Sequence, residues 1–189
     1  TVEPLELAAT LWDQCTEAGF EYLSLGPVLA DTADADLARL AQIPDLIRGT
    51  DSVFATVLVA GKDRGLHLGA IRQTASLVRE IAHTTELGFG NLRLALLANV
   101  PPHAPFFPAA YHDGGPPAIG IATESANLAV MAFSEGGSLE EARARLLAAV
   151  ELTALRIDKL VRPIAEHYGY RFAGIDFSLA PFPEEARSI

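Results

Sequence analysis

The sequence predicts an α/β fold of mainly parallel strands alternating with helices, and two observations carry that reading. Helical and strand periodicities succeed one another along the whole chain, and the strand segments are apolar on both faces. A parallel sheet with both faces covered requires that pattern.

The elements follow in order. Leu5, Ala8, Leu11, Trp12 and Cys15 fall at helical spacing between Pro4 and Ala18, with Gly19 placed as a left-handed terminator. Phe20 to Leu25 is rich in aromatic and branched residues and reads as a strand ending at the turn pair Gly26-Pro27. A short helix is expected around Asp36 to Ile47. Val53 to Ala60, apolar but for Thr56, is a buried strand closed by Gly61-Lys62-Asp63-Arg64. The next helix runs to His83 or Thr84 with Leu68, Ile71, Ala75, Val78 and Ala82 on one face. Leu92 to Ala98 is a further apolar strand. From Asn99 to Pro117 the prolines fix torsions and remove donors, so a long loop is expected. Ala118 to Ala122 is a short strand, and Thr123 can cap a helix to Phe133. Gly136-Gly137 breaks the chain. Ser138-Leu139-Glu140-Glu141 is a capping-box pattern opening a long helix with Leu139, Ala142, Leu146, Ala149, Thr153, Ile157, Leu160 and Ile164 inward. Pro163 should kink it and Gly169 end it. Phe172 to Ser178 is the last strand.

Composition limits the function. Fourteen basic against 24 acidic residues give a net charge of −10, which argues against nucleic acid or an anionic membrane as a partner. One cysteine, Cys15, rules out an internal disulfide framework and suits a reducing cytoplasm. No apolar run approaches the ~18 residues of a membrane helix. Half the residues are hydrophobic, enough for a substantial core in one domain spanning residues 1–189. No cofactor is indicated.

Ligands of parallel α/β folds collect at the carboxyl ends of strands, and that rule selects the candidates. The loop from Val100 to Gly115 concentrates His103, Tyr111 and His112 beside Asp113. His112 is suited to acid/base work because its ordinary pKa lies near 6.5 and an adjacent carboxylate can orient it. Glu124 and Ser125 open a helix directly after a strand, and Asp176 lies in an otherwise apolar strand, where a carboxylate needs a partner. His112, Glu124 and Asp176 form the candidate catalytic set. Asn99, His103, Tyr111, Ser125 and Ser178 form the candidate substrate-binding set. A divalent metal held by His112, Glu124 and Asp176 is conceivable, but their spacing matches no close-spaced ligand motif. Other signatures fail. Gly88-Phe89-Gly90 resembles the start of a dinucleotide loop, but Arg93 stands at the third glycine and a strand follows.

Gly88-Phe89-Gly90-Asn91, Asn99-Val100-Pro101-Pro102, Pro105-Phe106-Phe107-Pro108-Ala109-Ala110-Tyr111-His112, Glu124-Ser125-Ala126 and Gly174-Ile175-Asp176-Phe177-Ser178-Leu179-Ala180-Pro181 resemble the domain of unknown function 711 family, also called uncharacterised protein family 0210. The resemblance implies a fold related to the α/β barrel of pyruvate formate-lyase, of which this chain would form part. It does not imply radical chemistry, since the Arg-Val-x-Gly radical loop is absent and Cys15 lies on a helix. It also implies a fragment of a longer chain, and no residue role comes with it. The expectation is a cytoplasmic enzyme acting on a small polar metabolite by acid/base or metal-assisted chemistry. The alternative is a non-catalytic binding or regulatory protein using the same cleft. Apolar strands without full cover predict a homo-oligomer or packing against the remainder of a longer chain.

Overall fold

A computed structural model describes residues 4–179 in two compact units. The first is the chain up to Pro102 together with Phe107–Tyr111. The second is His103–Phe106 and the chain from His112 onward.

In the first unit, β2 (Val53–Gly61) is central. It pairs in parallel with β1 (Leu23–Leu29) and with β4 (Leu94–Ala98), and antiparallel with the two-residue β3 (Gly65–Leu66). Helices α1 (Pro4–Glu17), α2 (Ile43–Gly49) and α3 (Leu68–Thr84) accompany the sheet. Because side chains alternate along a strand, Val53, Ala55, Val57 and Val59 share one face, packed with Leu40, Ile43, Ile47, Leu77 and Ile81. Leu58 lies on the other face with Leu97 and Ala109. On that same side Phe54 meets Tyr22 and Phe107 edge-on, with ring centroids 5.7 and 5.1 Å away. The apolar run of β2 is thus buried on both faces as its sequence predicts. Its second cover includes an irregular strap, Phe107–Tyr111, drawn from the long loop.

Several boundaries depart from expectation for identifiable reasons. The first strand does not end at Gly26-Pro27 but runs through it. Gly26 takes φ +77° and the register with β2 shifts between Ser24 and Pro27, so the pair makes a bulge instead of a turn. An edge strand tolerates this because Pro27 has no donor to offer a second neighbour. On α3 the buried residues are Ala70, Thr74, Leu77 and Ile81, while Leu68, Ala75 and Ala82 are exposed. The inward stripe is rotated from the expected one. Leu92 is exposed in a 3-10 segment, Glu86–Arg93, that precedes β4.

The second unit contains β5 (Ala118–Ala122) paired in parallel with β6 (Arg171–Asp176), together with α4 (Ala126–Ser134) and α5 (Leu139–Tyr168). The capping box at the head of α5 is complete. Ser138 Oγ accepts from the Glu141 N–H and the Glu141 carboxylate accepts from the Ser138 N–H. The Ser138 N–H, and after it the Ser138 hydroxyl, donate to the Glu141 carboxylate and hold it below its ordinary pKa. Gly169 ends the helix at φ +69°, and Pro163 lies inside it without stopping it. The inward face is narrower than expected: Ala142 and Ala165 are buried, whereas Leu139, Leu160 and Ile164 are exposed. Among the described residues the strands form one four-stranded and one two-stranded sheet, and no closed barrel. No helix among them is long and apolar enough to cross a membrane.

Candidate functional site

At the carboxyl ends of β5 and β6 four polar residues are joined by hydrogen bonds. Thr123 donates to the Asp176 carbonyl from both its N–H (3.0 Å) and its hydroxyl (2.9 Å). With that proton committed, the 2.6 Å contact between Thr123 Oγ1 and Ser125 Oγ has Ser125 as donor. The Ser125 N–H donates to the Ser178 carbonyl at 3.1 Å, and Ser178 Oγ donates to Asp176 Oδ2 at 2.7 Å. Thr123 therefore does not cap α4. Its hydroxyl ties the two strand ends together, and the cap position passes to Ser125, whose side chain makes no cap bond. Ser125 is buried and Asp176 half-buried, so the pair is fixed in place, while Glu124 between the two hydroxyl residues is exposed. The Asp176 carboxylate is met by a neutral hydroxyl and keeps capacity for a ligand's N–H or O–H.

The loop supplies a second group in the same unit. His103 Nε2 lies 2.6 Å from Asp113 Oδ1, and its side chain is only 14% exposed against 58% for the carboxylate. This hydrogen bond is the main reason that the Asp113 carboxyl is held below its ordinary pKa. The His112 ring stands edge-on to that of His103 at 4.6 Å. His112 Nδ1 accepts from the Gly114 N–H (2.9 Å), which makes Nε2–H the donor to the Pro116 carbonyl at 3.0 Å. The tautomer of His112 is thereby set. His103 itself takes φ +62°, a conformation rare outside glycine.

A pair of glycines seats this loop on the sheet. Gly120 of β5 and Gly174 of β6 are partners in register, and Pro105 lies over both. A Cβ at Gly120 would come within 2.8 Å of Pro105 Cβ and 3.0 Å of its Cα. Gly120→Ala must therefore lift the segment His103–Phe106, with an expected loss of about 1–3 kcal/mol. Thermal melting measures the loss, and a moved His103 imidazole resonance in NMR spectra identifies its place. A variant that melts with the parent and keeps that resonance would show that the loop does not rest there.

The remaining expected site residues lie in the first unit. Asn99 adopts φ +57° and its N–H donates to the Ala60 carbonyl. Tyr111 packs against the cluster of Leu58, Leu97 and Ala109 and donates from its hydroxyl to the Val100 carbonyl at 3.0 Å. A cavity of about 420 Å³ in this unit is lined by residues of β1 and α2 with Asp36 and Arg39, and by none of the expected site residues. Sequence reasoning passed over Asp31, which is 5% exposed and paired with Arg64 at 3.2 Å just beyond the end of β1. Reading Gly26-Pro27 as the strand end hid the true end, where an acidic residue would have stood out.

His112, Glu124 and Asp176 are not assembled into a metal-capable group. Among the described residues only His103, His112 and Asp113 are. Local bonding explains the difference: His112 is folded onto its own turn by Gly114 and Pro116, and Asp176 is engaged by Ser178.

Over residues 1–189 the chain matches the family described as "Uncharacterised ACR (DUF711)". It is similar to a UPF0210 protein of Methanopyrus kandleri, at 35% identity over 98% of this chain and 42% of that protein. It is also similar to UPF0210 proteins of Desulforudis audaxviator, at 29% over 98% and 43%, and of Methanocaldococcus jannaschii, at 28% over 84% and 36%. The chain spans about two-fifths of the length of these relatives.

Proposed function

The chain belongs to the uncharacterised DUF711 family, and from that premise we propose that its second unit binds a small polar metabolite at the carboxyl ends of β5 and β6 and acts on it by acid/base or metal-assisted chemistry. The observation that carries this reading is the network of Thr123, Ser125, Asp176 and Ser178, built where parallel strands end and a helix begins. In it Asp176 receives hydroxyl or ammonium hydrogens of the metabolite, with Ser125 and Ser178 fixing orientation. Glu124 and His112 are assigned the proton transfers, and His103 is assigned to substrate binding. The protein works in a reducing cytoplasm, in keeping with its single cysteine. The described strands supply part of the wall of a barrel related to that of pyruvate formate-lyase. Exposed Leu152, Leu155, Leu160 and Ile164 on α5 support a homo-oligomer or contact with further chain. Neither nucleic acid nor membrane is a partner.

The test is a melting screen of the purified protein against hydroxy acids, amino acids and polyols. A ligand at a hundred times its Kd stabilises by about 2.7 kcal/mol, a shift of several degrees. The expected result is a shift in the parent that Asp176→Asn loses, followed by chemical change of that metabolite on incubation. A shift that survives Asp176→Asn would remove the site, and a metabolite recovered unchanged would replace the enzyme by a binding protein.

A further inference from the structure

We propose that His103, His112 and Asp113 form a site for a borderline divalent cation of the zinc type, open on its solvent side. One ring nitrogen of each histidine and a carboxylate oxygen of Asp113 lie within 4.8 Å of one another. Three atoms so placed can all be reached from one point at about 2.8 Å or less, against the ~2.0–2.2 Å bonds of zinc, so closure asks for a movement of under about 1 Å. Two imidazoles with one carboxylate suit a transition metal over magnesium or calcium, which prefer oxygen.

The surroundings are those of ligands already oriented. The Pro116 carbonyl receives the Nε2–H of His112, the outer bond that metal-bound histidines ordinarily make, and it leaves Nδ1 as the ligating nitrogen. Nδ1 is now occupied only by the Gly114 N–H, on an exposed turn where water can replace it. The turn is able to yield, because Gly114 and Gly115 both take positive φ, at +111° and +83°. Between His103 Nε2 and Asp113 Oδ1 a proton is now shared, and metal binding takes Nε2 as the ligating nitrogen of the neutral ring that carries its proton on Nδ1. Burial of the His103 ring and exposure of His112 and Asp113 give the site a fixed wall and an open mouth. Three protein ligands leave a fourth position for water, the arrangement of catalytic zinc. Two neutral imidazoles and one carboxylate leave the bound cation one positive charge in excess, which suits an anionic group of a ligand.

The inference shares His103 and His112 with the proposed function, but no residue of the Thr123–Asp176 network is among its ligands. The experiment accordingly reads the metal and not activity. The full chain, stripped with chelator, is titrated with Co²⁺ and followed by its visible d–d absorption, then by displacement with Zn²⁺. One equivalent of cobalt with the absorption of a four- or five-coordinate site is expected, bleached by one equivalent of zinc. His103→Ala and Asp113→Asn should each weaken binding about a hundredfold, judged against the 10–100-fold typical of losing an outer partner alone. His112→Gln should do the same without removing the bulk of the side chain. Circular dichroism of each variant confirms that the loop substitutions leave the fold intact. Glu124→Gln and Asp176→Asn should bind cobalt as the parent does. Absent or substoichiometric absorption would overturn the site, and so would a cobalt spectrum that persists in His103→Ala and Asp113→Asn.

Discussion

Arg93→Ala is expected to destabilise the protein by about 3–5 kcal/mol, the larger part of a typical domain's margin. The Arg93 guanidinium donates to the Ile47 carbonyl at 2.6 Å, and to the Thr50 carbonyl at 2.5 Å, the Thr50 hydroxyl at 3.2 Å and the Val53 carbonyl at 3.3 Å. It thereby ties the negative end of α2 to the start of β2 and to its own position before β4. Hydrogen bonds to a charged group are worth about 1.5–3 kcal/mol each, and truncation would leave carbonyls beside the core without a donor. Burial pushes the guanidinium's pKa down, with Asp51 opposing it, yet arginine stays charged at any working pH. For a unit of this size the melting temperature should fall by roughly 15 °C or more. Arg93→Lys should recover only part, because one ammonium cannot reach all four acceptors with the same fork. Urea unfolding followed by circular dichroism measures the difference. A loss below about 1 kcal/mol would mean that water replaces the guanidinium without cost.

Gly90→Val is expected to cost about 3 kcal/mol or more, for a different reason. A Cβ at Gly90 would stand 2.7 Å from Thr85 Cγ2, 2.8 Å from Ile81 Cγ2 and 2.9 Å from Ile47 Cγ2. Ile47 and Ile81 have no exposed surface, so neither methyl has anywhere to retreat. Gly90→Ala should cost about 1–3 kcal/mol and valine more, a graded series that thermal melting resolves. Equal melting of glycine, alanine and valine forms would show that the 3-10 segment shifts freely off α3.

The same residues show which parts of this fold were legible in the sequence. Gly88-Phe89-Gly90 with Arg93 looked like a broken nucleotide loop. In the structure Gly88 supplies a positive φ, Gly90 a close approach, and Arg93 a clamp on α2. Each departure from the nucleotide pattern has its own mechanical cause, and none is visible until α2 and α3 are brought beside the segment. Strands announced by composition, such as Val53 to Ala60, were read correctly because burial on both faces leaves no choice of residue. The bulge at Gly26-Pro27 was not legible, since the same dipeptide makes a turn wherever no neighbouring strand continues the pairing. The interior of α5 was overestimated because periodicity marks the side of a helix that is apolar, while cover depends on what lies against it.

The candidate site was legible in its position more than in its connections. The strand-end rule picked out Ser125, Asp176 and Ser178, which the structure joins through Thr123, a residue assigned at first to capping. It also picked out His103 and His112. Asp113 is expected to orient its neighbour His112, whereas its carboxylate meets His103, a contact between side chains ten residues apart that sequence adjacency does not display.

The strap Phe107–Tyr111 determines where the first unit can be cut from the rest. Ala109 has no exposed surface, and with Tyr111 it covers Leu58 and Leu97 on the face of β2 turned away from the helices. A piece ended at Pro102, where the regular elements of this unit are complete, would carry that face bare into solvent. One ended after Tyr111 would keep its cover and would take His103–Phe106 with it as a looped-out passenger. The boundary of this folding unit is therefore set by a segment without secondary structure, nine residues beyond a tempting proline.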